Sequence, residues 1–149
     1  MKHVLAPVPA VHFLDAIATY ERAGAVLFGS NQFDLLHSMI GQDVTVWLVA
    51  STGYLPKGEL PPVPVGKVLY RGRLGQIEDA DRRGRPTRPE LRPHSTVGDS
   101  EWHKFYEVLA FVPVDPPIPS AKLRKLGGGE IEVAPHMLVL IEPPEGFKS

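Results

Sequence analysis

Apolar and polar positions divide this chain into short elements separated by proline. Residues 3–8 form a brief apolar run that predicts a strand. Over residues 11–23, Val11, Leu14 and Ala18 recur at helical spacing, with Phe13, Ile17 and Tyr20 beside them. That pattern predicts a helix ending near Gly24. Residues 25–28 predict a short strand. Ser30 or Asn31 is then placed to cap a second helix over residues 32–40. Phe33, Leu36 and Ile40 would share its buried face, and Gly41 would stop it. Residues 43–50 carry the strongest strand pattern, rich in β-branched and aromatic side chains and nearly continuous in apolar character.

Residues 51–64 read as a loop, and residues 65–77 as a second long strand in which Val68 and Tyr70 alternate with Leu69 and Arg71. A polar excursion follows over residues 78–100. Residues 102–112 predict a third strong strand, and residues 113–119 a turn. Ser120 is placed to cap a short helix over residues 121–126, ended by Gly127, Gly128 and Gly129. Two closing strands are predicted over residues 131–133 and 137–141. The sum is about six strands and two or three short helices, an α+β domain built on a small, partly closed β-barrel. The sixteen prolines fall mainly between these elements, where a residue without an N–H does least harm. There is no internal repeat.

Composition narrows the functional classes. The 149 residues argue for one domain, and 43% hydrophobic with 22% charged residues is an ordinary globular balance. The net charge of −1 gives no global field toward nucleic acid or a membrane. With no cysteine, disulfides, thiolate metal sites and a cysteine nucleophile are excluded, which fits a reducing compartment. His3, His12 and His37 have no known ligand spacing, so no metal or cofactor is expected. The N-terminus lacks the apolar core of a signal peptide, and no apolar run reaches the roughly 20 residues of a membrane helix. The chain reads as cytoplasmic, without a membrane partner.

Charge is nevertheless uneven. Seven of the nine arginines lie between positions 71 and 92, against four acidic residues, a local balance of +3. The remainder of the chain balances to −4. No catalytic motif accompanies this segment, and the three glycines at 127–129 lack the Lys-Ser/Thr of a phosphate loop.

Four local patterns carry a family resemblance. Asn31, Gln32 and Phe33 precede Met39, Gly41 and Asp43, and an apolar strand with Trp47 follows. Val65, Gly66, Lys67 and Val68 lead into a strand ending at Gln76, Ile77, Glu78 and Asp79. A polar stretch closes at Glu101 and Trp102, and Pro117, Ile118 and Pro119 precede Leu123. In order and spacing, over roughly residues 25–126, this is similar to the EVE domains of the PUA-like superfamily. The sequence departs from that pattern in three places, the first being one extra residue in the turn Gly41, Gln42, Asp43. Leu48, Val49, Ala50 and Ser51 stand where an aromatic and His-Ser are usual, and no arginine lies near Asn31.

The resemblance implies a PUA-like barrel that reads nucleic acid, DNA or RNA, and recognises a modified base. A base taken out of its stack is held by aromatic faces and edge hydrogen bonds. Trp47, Tyr54 and Trp102 are the candidate stacking residues, and Ser30, Asn31 and Ser51 the candidate edge readers. Arg82, Arg83, Arg85 and Arg88 are the candidate phosphate contacts. A reader without a catalytic part implies a separately encoded effector protein as partner. Plainer readings stand beside these: core packing for the tryptophans, a helix cap for Asn31 and a solvated loop for the arginines. Two other functions compete. One is a hydrolase or nuclease like the related ASCH domains, using Lys67 or Lys104 with Glu107 and Tyr70. The other is a protein–protein adaptor using Pro86 and Pro89 or Pro113 and Pro116.

Overall fold

A computed structural model describes residues 1–97, 102–131 and 137–147. The end of the excursion (98–100), Glu101 and most of the strand expected over residues 131–133 lie outside the described residues. The chain runs β1 (Lys2–Pro9), α1 (Ala10–Ala23), β2 (Ala25–Ser30), α2 (Phe33–Met39), β3 (Val44–Ser51), β4 (Lys67–Asp79), β5 (Lys104–Pro119) and β6 (Val139–Ile141). Single 3-10 turns lie at Pro89–Leu91, His94–Thr96 and Ser120–Lys122. The architecture is α+β, with one mixed six-stranded sheet in the order β2-β5-β4-β3-β1-β6. β1 and β3 are parallel, and every other neighbouring pair is antiparallel.

Strand period explains the near-continuous apolar run of β3. Val44, Val46, Leu48 and Ala50 face the main core, while Trp47 and Val49 face a second cluster on the other side. β1 does the same: Val4, Ala6 and Val8 point one way and Leu5 the other. The register aligns Val4 with Val46 and Leu5 with Trp47, so both faces of this parallel pair are dry. Helix α1 starts directly after Pro9 and ends at Gly24, whose φ of 79° takes the left-handed cap that glycine adopts without strain. Its buried stripe is Phe13, Ala16 and Thr19, with Ile17 and Tyr20 packed beside them. Leu14 is 56% exposed, so it lies off the stripe.

Several local expectations are corrected. Gln32, not Ser30 or Asn31, occupies the cap position of α2, and no side chain caps it. Leu36 and Met39 face the core, whereas Phe33 and Ile40 are exposed, because seven helical residues present only one buried turn. The expected turn over 113–119 is part of β5. Tyr70 pairs with Pro113 and Val68 with Ile118, so the intervening residues of β5 bulge out of the ladder. The helix expected over 121–126 is a single 3-10 turn at Ser120–Lys122, and Pro119 holds its cap position. The three glycines close a small hairpin in which Arg124 bridges Glu130.

The sheet is not closed into a barrel. β6 pairs with His3, Val4 and Leu5, so among the described residues β1 has no strand on that side over residues 6–9. The opposite edge, β2, comes round to face this gap, since Val26 and Phe28 share the core of Val4, Ala6 and Val8. A side chain bridges the two edges: Gln32 Nε2 donates to the Leu138 carbonyl at 3.0 Å, and the Leu138 amide donates to Gln32 Oε1 at 2.7 Å. One amide thus substitutes for a rung of strand pairing. Replacing Gln32 by Ala strands both Leu138 groups, and about 1–3 kcal/mol should be lost in denaturant unfolding. Hydrogen exchange at the Leu138 amide should accelerate at the same time, whereas unchanged exchange would show that the bridge does not hold the seam.

Candidate functional site

The gap between the edges is a cavity of about 450 Å³. β1 contributes Pro7, Val8 and Pro9, β2 contributes Leu27, Phe28, Gly29 and Ser30, and Met137 and Leu138 precede β6. Pro7 and Pro9 have no N–H to leave unpaired along an open edge. The volume falls within the roughly 300–1,000 Å³ of small-ligand sites.

Five of the six candidate pocket residues line this cavity: Ser30, Asn31, Ser51, Tyr54 and Trp102. The Trp102 ring lies directly on Gly29, where a Cβ would stand 2.2 Å from its Cγ. Only glycine permits that approach. Tyr54 is 53% exposed and holds φ at 62°, a left-handed conformation that costs a non-glycine residue about 1–2 kcal/mol. Its ring stands 5.6 Å from that of His12. Asn31 is fixed at the rim, where its Oδ1 accepts from the His103 amide at 2.8 Å. Ser30 Oγ accepts from the Gln32 amide at 3.2 Å.

Trp47 is the exception. It is 3% exposed in the second cluster, where its indole N–H donates to His3 Nδ1 at 3.1 Å and Phe147 packs edge-on at 5.2 Å. It sits mid-strand and is sealed by the C-terminal segment, so core packing is its role. A shallower cleft of about 280 Å³ between Trp47, Arg71 and Phe147 is separate from the main cavity.

Three further wall residues carry polar groups that the sequence reading missed. Tyr106 is 3% exposed, and burial pushes its hydroxyl well above the usual phenol range. His12 comes from α1, and its Nδ1 meets Ser95 Oγ at 2.9 Å. Arg92 is 6% exposed, binds the Thr96 side chain and carbonyl, and lies 5.3 Å over the Phe105 ring. Among the described lining residues Arg92 is the permanently charged one. The hydroxyls of Ser51 and Tyr106 make no hydrogen bond among the described residues, which leaves both open to a bound group.

Arg92 reaches the wall because the excursion is tied down rather than loose. Glu78 accepts from the Thr87 amide at 2.7 Å, from its hydroxyl and from Arg88. Burial opposes ionisation of Glu78, but these bonds outweigh it and hold its carboxyl below the usual range. Leu91 buries against Ala25, Leu27 and Phe105, and Asp15 accepts from the Ser95 amide at 2.8 Å. The only signal for this docking in the sequence is an apolar residue, Leu91, isolated in a polar stretch.

The four candidate phosphate contacts divide accordingly. Arg88 is part-buried and bridges Glu78 and Glu107, at 3.0 and 2.7 Å, so it is a structural ion pair. Arg82, Arg83 and Arg85 are exposed on a turn organised by Asp81, whose Oδ1 accepts from the amides of Arg83 and Arg85. The residues named for a hydrolytic site do not converge. Lys104 pairs with Asp79, Glu107 with Arg88, and Tyr70 packs on Phe13 and Phe111, while Lys67 lies at the other end of the β4–β5 ladder. Pro86 is buried and Pro113 is paired in the sheet, so neither proline pair is a free extended ligand. Among the described residues there is no cluster of His, Asp and Glu fit for a metal, and no helix long and apolar enough to cross a membrane. No family model, curated protein or solved structure matches this chain.

Two outcomes follow. Gly29→Ala forces the Trp102 ring off its seat, at an overpacking cost of about 1–3 kcal/mol, and should change the near-ultraviolet circular dichroism. An unchanged spectrum and midpoint would contradict the contact. Burial, aided by the N-terminal ammonium and opposed by Asp43, lowers the pKa of His3 below its usual 6.5. The unfolded state therefore binds the proton first, and stability present above pH 6.5 should fall as pH drops toward the lowered folded value. His3→Gln should flatten that part of a pH–stability curve, and an unaltered slope would exclude His3 as its source.

Proposed function

We propose that this chain is a nucleic-acid-binding module, a diverged relative of EVE domains with a PUA-like fold, that holds one extruded, modified base in the seam cavity. The reading is supported chiefly by convergence. Five residues from three separate segments of the chain, selected for stacking and edge reading, line one cavity of small-ligand size. Trp102 and Tyr54 offer aromatic faces, and a stacked base contributes about 1–3 kcal/mol. Ser51, Tyr106 and Arg92 offer donors and acceptors along the walls. The exposed turn of Arg82, Arg83 and Arg85 supplies phosphate contacts on a chain that is otherwise net acidic. Recognition here needs no bond-making step, which agrees with the dispersal of the candidate catalytic groups. Such a reader acts beside a separate effector.

The test is fluorescence anisotropy at low salt, using DNA and RNA strands with methylated cytosine or adenine alongside unmodified controls. A strand with a modified base should bind more tightly than its control. Trp102→Ala should weaken binding about 5- to 150-fold. Changing Arg82, Arg83 and Arg85 together to Ala should flatten the salt dependence. No binding to any strand, or full binding by a folded Trp102→Ala variant, would sink the reading.

A further inference from the structure

The rim of the cavity carries an aromatic pair that the base-holding role does not use. Phe33 is 46% exposed at the start of α2 and, among the described residues, belongs to none of the three apolar clusters. Its ring stands 5.7 Å from that of His103, which is also exposed. Lys104 Nζ lies 6.0 Å over the Phe33 ring while pairing with Asp79 at 2.5 Å.

Hydrogen bonds fix this pair between the cavity and the basic turn. On one side the His103 amide donates to Asn31, a cavity residue, and His103 follows Trp102 directly in the chain. On the other side the His103 carbonyl accepts from the Ala80 amide at 2.8 Å. Asp81 comes next and organises the turn of Arg82, Arg83 and Arg85. Cavity, aromatic pair and arginine turn therefore succeed one another along one rim, each tied to the next by a backbone amide.

We infer that Phe33 and His103 form a stacking platform for the nucleotide flanking the extruded base, and that the bound strand continues from there to the arginine turn. The inference rests on the base-reading function above and adds that the partner is a single strand, or a locally unpaired one, along this path. A flanking base still paired in a duplex keeps its own stacking neighbours and gains little from an aromatic rim. An unpaired base gains a face, and aromatic side chains accept any base because every base has a π-face. The platform therefore adds affinity without adding sequence preference. Lys104 favours the same arrangement by placing a cation beside the Phe33 ring.

The probe is a single thymidine-rich strand carrying one methylated cytosine or adenine, compared with the same strand bearing abasic sites on both sides of that base. For the wild-type chain the abasic flanks should weaken binding about 5- to 150-fold. Phe33→Ala should produce a similar loss on the intact strand and make the abasic flanks nearly neutral, since both changes remove one contact. Phe33→Leu keeps apolar bulk without the ring and should show the same loss with an unchanged unfolding midpoint. Wild-type affinity in Phe33→Leu, or losses that simply add, would overturn the platform while leaving the base cavity standing. Absence of binding by any strand would instead overturn the base reading and the platform with it.

Discussion

The side-chain amide of Gln32 takes both backbone groups of Leu138, and the candidate site depends on that one exchange. A sheet whose two edges approach has two simple outcomes. The edges pair through their backbones and the barrel closes, or they separate and each edge faces water. Here a side chain supplies the rung. It holds the edges together while keeping them a side chain's length apart. The space left beside it, between residues 27–30 of β2 and 7–9 of β1, is the cavity. Direct backbone pairing along that stretch would fill it, and the two prolines of β1 disfavour such pairing because they have no N–H to offer.

The polar excursion completes the wall by a different logic. Part of its charge is neutralised: Arg88 pairs with Glu78 and with Glu107 of β5, while Glu78 also accepts from Thr87 and Asp81 from backbone amides. That neutralisation allows Leu91 and Arg92 to be carried into buried positions beside β2 and β5. A surplus of arginine in sequence thus separates into three roles. Arg88 is a strut, Arg92 is a cavity wall, and Arg82, Arg83 and Arg85 remain for solvent or phosphate. Counting charge along the chain does not distinguish them, because a partner such as Glu107 of Arg88 lies in a distant element.

Much of the fold was legible because it rests on local period and punctuation. The apolar run of residues 43–50 became a strand buried on both faces, and Gly24 and Gly41 bounded the helices. Ser30, Asn31 and Ser51 were singled out by their places at element ends, and Tyr54 and Trp102 as aromatic faces; all five line the cavity. Trp47 and Trp102 looked alike in sequence, since each belongs to a strong apolar segment. Only the C-terminal segment, folding back over His3 and Trp47, tells them apart. Phe33 and Ile40 fit the helical spacing yet face out, because a two-turn helix has little face to bury. The seam itself left no local signal, as Gln32 and Leu138 lie 106 positions apart and no periodicity links them.

The two tryptophans provide the most direct test of the central claim. One indole lies in the seam cavity, and the other is bonded to His3 in the second cluster. Their ring N–H signals can be followed separately by nuclear magnetic resonance while strands with and without a modified base are added. The account predicts a saturable shift of the Trp102 signal, larger with the modified strand, and a nearly stationary Trp47 signal. A stationary Trp102 signal under conditions where the strand is bound, or a shift confined to Trp47, would contradict it.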